Sequence, residues 1–195
     1  MTVLHFTITT IAYYILHSLL AAEGVKASLG RLLPVRYYRL GYNFLAVLLL
    51  AAVLVLYFLV EKKPLWPSNK ALVFGGAILS IFGLNWVMRA FSKYDIGEFT
   101  GLEQLRNGQQ PVHTKLIVRG LNGRVRHPLY FGSLLLVWSV MFLFQNDAAL
   151  AFALISTIYL IIGSRLEEEK LVAQFGKAYQ KYQREVPMLL PRWKR

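Results

Sequence analysis

Two short polar runs hold the residues best equipped for chemistry: Arg119-Gly-Leu-Asn-Gly-Arg-Val-Arg-His-Pro-Leu-Tyr-Phe-Gly132 and Arg165-Leu-Glu-Glu-Glu-Lys170. In the first, Pro128 suits the opening turn of a helix, where its missing N–H costs nothing. Arg126 and His127 then stand at that helix's N-terminus, where free amides and the dipole favour an anion. The Arg126 guanidinium adds a planar fork matched to a carboxylate. Gly132, one turn further in, permits close approach of a ligand or a neighbouring helix. In the second run, three adjacent carboxylates near a helix C-terminus oppose its dipole, unless the helix continues or they bind a cation. An anion-binding helix end beside a cation-binding one suits a zwitterionic ligand. Plainer readings use the same residues: a basic membrane boundary with a proline start, and salt bridges from Glu167–Glu169 to Arg124 or Arg126.

Other chemistries are narrowed by what is missing. The chain has no cysteine, which removes disulfides, thiolate metal sites and a cysteine nucleophile together. His5 and His17 lie about 18 Å apart along a helix and cannot ligate one metal from a single element. His113 and His127 fall in or beside a loop, so no metal site is expected. Asn85, Trp86 and Arg89 read as the end of an apolar helix, with Arg89 snorkelling.

The elements that must position these residues are apolar. Of 195 residues, 56% are hydrophobic, more than a soluble domain of this length needs. Five apolar stretches stand out, at about Val3–Ala22, Leu40–Val60, Ala71–Phe91, Leu129–Phe144 and Ala148–Ser164. A crossing takes about 20 residues, with 17 near the lower limit. The first three pass easily. The last two are short and divided only by Gln145-Asn146-Asp147, which reads as a tight helical hairpin. The sequence therefore predicts an all-α integral membrane bundle of about five transmembrane helices, a single domain over residues 1–195. Three helices fall within 1–91, a cytosolic loop spans 92–127, and 128–195 forms the hairpin with a cytosolic tail. The first segment does not read as a signal peptide, because it lacks a basic start and its long apolar run carries His5 and His17.

Charge sets the orientation. The 22 Lys and Arg against 10 Asp and Glu give a net charge of +12, but the cations sit between apolar stretches and in the tail. That distribution fits lipid headgroups and topology rather than nucleic acid, for which no fold is available between the spans. Five crossings with a non-cytosolic N-terminus place the basic loops Glu23–Arg39 and Ser92–His127, with the tail, in the cytosol. Lys62, Lys63 and Lys70 are left on the other side. Beyond Ser164, Leu171, Phe175, Ala178, Tyr179, Tyr182 and Val186 recur at helical steps, while Lys177, Lys181 and Arg184 fall elsewhere. This predicts an amphipathic helix lying on the membrane or capping the bundle, ended by Pro187 and Pro191.

Arg126-His-Pro-Leu-Tyr-Phe-Gly132, then Glu167-Glu168-x-x-Leu171, Phe175-Gly176-x-x-Tyr179-x-x-Tyr182 and Val186-Pro187 with Pro191, resemble the isoprenylcysteine carboxyl methyltransferase superfamily. The resemblance covers roughly Lys115 to Pro191. His17-Ser18, Gly101-Leu-Glu-Gln104 and Val186-Pro-Met-Leu-Leu-Pro191 are most similar to its methanethiol S-methyltransferase and NnrU-like branch. It implies an integral membrane methyltransferase using S-adenosyl-L-methionine, in the bacterial inner membrane with its site facing the cytosol. Membrane lipids and a small-molecule or lipid-like methyl acceptor are the implied partners. The acceptor can be a small thiol, a prenylcysteine-type carboxylate or a lipid amine. Leu116, Val118, Gly120, Arg126, His127, Pro128, Tyr130, Glu167 and Glu168 are the implied cofactor residues. Arg126 is expected to hold the cofactor carboxylate and Glu168 its ammonium, the pair counted as catalytic. The family usually carries tyrosine two residues after the glycine matching Gly120; this chain has Asn122. Two other readings remain open: an NADPH-dependent sterol-reductase-like enzyme, which resembles the chain in an arginine-proline-tyrosine motif and tail, and a non-enzymatic NnrU-like membrane component.

Overall fold

A computed structural model describes residues 1–29, 34–92, 96–107 and 116–192. His113 and Lys115, with the rest of residues 30–33, 93–95 and 108–115 in the basic loops, lie outside the described residues. The elements in order are α1 (Val3–Ala21), α2 (Glu23–Leu29), α3 (Val35–Leu59), α4 (Lys70–Phe91), α5 (Ile96–Thr100), α6 (Leu102–Asn107), a 3-10 turn (Gly120–Gly123), α7 (Pro128–Phe144), α8 (Asp147–Phe175) and α9 (Lys177–Glu185). No strand occurs among the described residues. Helices α1, α3, α4 and α8 are long and apolar enough to cross a membrane, and α7, with 17 residues, is a shorter apolar helix. Their large apolar side chains point outward: Leu4, Ile8, Ile11, Ile15 and Leu19 line one exposed face of α1, and Phe44, Phe58, Phe74 and Ile81 are about as exposed. Such an inside-out pattern is what hydrocarbon solvent selects.

The chain gathers into two compact units, Met1–Lys63 with Tyr94–Val112, and Pro64–Lys93 with His113–Arg195. In the first, α1 and α3 pack antiparallel. Glu61 N–H donates to Met1 O at 3.0 Å, Phe6 is buried edge-on against Tyr57, and the Tyr42 hydroxyl meets His17 Nε2 at 2.9 Å. Gly101 sits at the α5–α6 turn with φ +93°, where a Cβ would fall 2.8 Å from Leu40 N. Gln104 is buried beside it in sequence, which gives the Gly101–Gln104 motif a packing role. Lys62 donates to Tyr57 O and Val60 O, each at 2.8 Å. Its charge is thereby spent on the C-terminal carbonyls of α3.

The second unit is built on close contact between α4 and α7. Gly76 and Gly83, one heptad apart, face Phe142–Leu143 and Leu135–Leu136, while Gly132 faces Trp86–Val87. The order is antiparallel, and small residues let the backbones approach. A Cβ at Gly132 would lie 2.6 Å from Val87 Cγ2. Trp86 is buried with Val125 and Phe131 rather than marking a helix end, while Asn85 and Arg89 stay exposed.

The α7–α8 hairpin turns through Gln145 in a left-handed conformation (φ 49°, ψ 38°), with Asn146 Oδ1 capping α8 by accepting from Ala149 N–H. Gln145 is buried and fully engaged: its Oε1 accepts from Trp66 Nε1 (2.8 Å) and Asn69 N–H (3.0 Å), and its Nε2 donates to Asn69 O (3.0 Å).

Two expectations change. Helix α3 begins at Val35, before the apolar stretch, and the loops contain the short helices α2, α5 and α6. The amphipathic tail is not one helix from Leu171 to Val186. Helix α8 runs on to Phe175 and stops at Gly176, whose φ of +55° is open to glycine. Helix α9 then starts in a new direction, with Tyr179 and Tyr182 buried. It caps its own unit with its apolar face.

Candidate active site

Helix α8 carries the acidic run past its apolar length. From Asp147 to Ser164 it rises about 27 Å, close to a hydrocarbon core of about 30 Å. Arg165, Glu167, Glu168, Glu169 and Lys170 follow on the last turns of the same helix. The opposing segment is fixed by Val125, fully buried against Trp86 and Phe131. Arg126 follows, His127 is the N-cap of α7, and Pro128 takes its first turn.

Arg126 and Glu168 meet directly. Arg126 Nε donates to Glu168 Oε1 at 2.5 Å and Nη2 to Oε2 at 3.1 Å, a bidentate pair with the side chains 9% and 10% exposed. Arg126 Nη1 donates to Gln183 O (2.8 Å) and Val186 O (2.5 Å). Glu168 also accepts from Gln183 Nε2 at 2.9 Å and lies 3.1 Å from His127 Nε2. An ionised carboxylate only accepts, so this contact puts a proton on Nε2. On the other side of the buried imidazole, Glu167 Oε2 is 3.7 Å from Nδ1. The Tyr130 ring packs edge-on against His127, with centroids 5.3 Å apart, and lies over Gly163 of α8.

The tail encloses this cluster through main-chain bonds. Arg126 N–H donates to Pro187 O (2.9 Å), His127 N–H to Met188 O (3.2 Å) and Arg192 N–H to Arg124 O (3.0 Å). The Tyr182 hydroxyl donates to Asn122 O at 2.6 Å. Asn122 thus serves the tail with its carbonyl, while its side chain donates to Ile117 O.

Burial pushes the Glu168 carboxyl up, but hydrogen bonds from Arg126 and Gln183, the Arg126 charge and the His127 contact together hold it below the ordinary range. Glu168 lies four residues beyond the apolar end of α8, outside the crossing segment. Burial first, then the Glu168 charge, raises the Tyr179 phenol, with Arg126 opposing.

The sequence-predicted residues divide into two groups. Arg126, His127, Pro128, Tyr130, Glu167 and Glu168 come together. Leu116, Val118 and Gly120 precede the 3-10 turn; Leu116 is half-buried, while Val118 and Gly120 are exposed, Gly120 having open space around it. None of these three lines the pocket of about 430 Å³ at the cluster, which is bounded by Arg165, Glu168, Glu169, Val172 and Gln183. Sequence reasoning missed Gln183, and it placed Arg165 at the head of the acidic run without giving it a role in the site. Gln183 had a signal: it is a polar residue one turn from Tyr179 and next to Tyr182, on the buried side of α9. Among the described residues, no group of three or more His, Asp or Glu is placed to hold a metal ion.

Comparison with known proteins adds identity to this geometry. The family described as NnrU protein matches residues 5–187. A methanethiol S-methyltransferase of Pseudomonas deceptionensis is 32% identical over 186 residues, covering 92% of this chain and 69% of that protein. One from Crocosphaera subtropica is 33% identical over 182 residues, covering 90% and 69%. Protein-S-isoprenylcysteine O-methyltransferase B of Arabidopsis thaliana is 31% identical over 170 residues, covering 85% and 79%. No solved structure matches the chain.

Proposed function

The chain belongs to the NnrU family and is a membrane methyltransferase of the isoprenylcysteine carboxyl methyltransferase superfamily; from this premise we propose that its methyl donor is S-adenosyl-L-methionine, bound beside the Arg126–Glu168 pair. The observation that carries the reading is that pair itself, backed by His127 and Gln183 and bordered by a pocket whose wall carries both charge signs.

The residues present fit such a cofactor. An open groove of about 430 Å³ lies beside the pair. Arg165 opposes Glu168 and Glu169 on the wall, which suits an amino-acid moiety, and Val172 adds an apolar patch. Arg126, His127, Pro128, Tyr130, Glu167 and Glu168 form the frame of this site, while Leu116, Val118 and Gly120 lie outside the pocket wall. For Arg126 to take a ligand carboxylate and Glu168 an ammonium, their mutual pair has to open. When bound, the cofactor supplies a sulfonium methyl group to a nucleophile.

The chain's own contribution is alignment and exclusion of water. Glu168 stays ionised because four donor contacts surround it, and Tyr130 with Gly163 closes the side towards the apolar helices. The acceptor we propose is a small apolar thiol, as in the names of the relatives that match over nine-tenths of this chain. A thiol ionises near neutral pH and needs little general-base help, in keeping with a site whose buried acid, Glu168, is committed to an ion pair. The positive-inside distribution supports a site facing the cytosol in the bacterial inner membrane.

The test is binding of S-adenosyl-L-methionine to the purified chain in detergent, followed by transfer of labelled methyl to a thiol, a prenylcysteine and a lipid amine. Saturable binding with label in the thiol is expected. Absence of binding, or label in another acceptor, rejects the corresponding half of the reading.

A further inference from the structure

The pair that the sequence singles out as ligands is already satisfied within the protein. The Arg126 guanidinium makes four contacts, two with Glu168 and two with main-chain carbonyls of the tail. Glu168 in turn receives donors from Arg126, His127 and Gln183. A ligand carboxylate aimed at Arg126 has to displace a buried carboxylate and loosen the tail. Leaving a buried charge without its partner is the costliest of the available exchanges.

Two other charged side chains face the same pocket without such commitments. Arg165 and Glu169 stand one turn apart on α8, both exposed, and both line the cavity with Glu168 and Gln183. Neither takes part in an ion pair or side-chain hydrogen bond among the described residues. Arg165 has its whole planar fork available for a carboxylate, and Glu169 offers an acceptor of opposite sign on the same wall.

We propose that Arg165, rather than Arg126, takes the carboxylate of the cofactor's amino-acid moiety, with Glu169 on its ammonium. This rests on the S-adenosyl-L-methionine reading above and reassigns the work within the site. Arg126, His127, Glu168 and Gln183 are the frame; Arg165 and Glu169 are the grip. The division explains why an arginine and an acid are left unpaired one turn apart beside a saturated cluster.

The experiment uses the full chain in detergent and two probes. S-adenosylhomocysteine carries the amino-acid moiety, and 5′-methylthioadenosine lacks it. Because Arg165 is exposed and makes no internal contact, Arg165→Ala should unfold at the wild-type temperature. It is expected to weaken S-adenosylhomocysteine by about tenfold to a hundredfold, the scale of a charge-assisted hydrogen bond, and to leave 5′-methylthioadenosine unchanged. Arg165→Lys keeps the charge without the fork and should fall between. Wild-type affinity for S-adenosylhomocysteine in Arg165→Ala, or equal losses for both probes, overturns the assignment while leaving the cofactor reading intact. A wild-type protein that binds neither probe overturns the cofactor reading itself.

Discussion

The α7–α8 hairpin is closed at both ends, and the closures use opposite chemistry. At the Gln145 corner every contact of the Gln145 side chain is neutral. The Gln145 side-chain amide accepts from Trp66 and Asn69 and donates to Asn69, and the Gln145 main-chain carbonyl accepts from Leu65 N–H. At the other end a guanidinium, an imidazole and two carboxylates meet within hydrogen-bond or ion-pair distance. The neutral corner has every partner it needs and nothing to exchange. The charged end also satisfies itself, yet it borders a pocket on whose wall Arg165 and Glu169 remain available. A hairpin can thus be held rigid at one end by amides and made responsive to charge at the other. Binding belongs at the second end, where partners of either sign can be offered.

The largest break comes from removing Arg126. Arg126→Leu leaves Glu168 buried without its main partner and cuts two bonds to the tail, a change expected to cost about 3–5 kcal/mol. Unfolding in detergent measures it, and S-adenosylhomocysteine binding should disappear with it. Replacing both partners, Arg126→Leu with Glu168→Leu, should recover much of the stability but none of the binding, because no buried charge is then stranded. A double variant as unstable as the single one would show that the tail bonds, not the ion pair, dominate this end.

Breaking the neutral corner should cost less and leave the site alone. Gln145→Ala strands the Trp66 and Asn69 groups, for an expected loss of about 1–3 kcal/mol. The folded protein should still bind S-adenosylhomocysteine with wild-type affinity. A weakened affinity would mean that the two ends are coupled through α7 or α8.

The hairpin itself was legible in the sequence. Two apolar stretches separated by Gln-Asn-Asp can only return on themselves, and Pro128 marks where the first begins. That return brings Arg126 towards Glu168 without further information. What could not be read is which groups are already committed. Two of the four Arg126 contacts are carbonyls of residues 183 and 186, and a carbonyl has no signature in residue identity. The tail's position depends in turn on Gly176, where one glycine turns an apparently continuous helical pattern into two helices. Helix α3 starts early because Arg36, Tyr37, Tyr38 and Arg39 extend the helix beyond its apolar stretch. Periodicity finds buried faces; it does not say which polar groups have been used.

The smallest expected effect is a pH dependence confined to the charged end. Burial favours protonation of Glu168, but the donors from Arg126, Gln183 and His127 outweigh it, so the folded pKa lies below the ordinary glutamate value of 4.5. The unfolded chain therefore takes up this proton at higher pH than the folded one. The stability Glu168 contributes is complete above the unfolded value and is lost as the pH falls through the folded one. The unfolding temperature of the wild type should accordingly decline from about pH 5 downward. Glu168→Gln, which cannot ionise, should have a lower plateau and a shallower decline. Gln145→Ala should keep the full wild-type slope at a reduced temperature, since the Gln145 amide carries no titratable proton. If Glu168→Gln and Gln145→Ala show the same slope, the acid sensitivity arises elsewhere, and the contrast between the two closures is one of bonding alone.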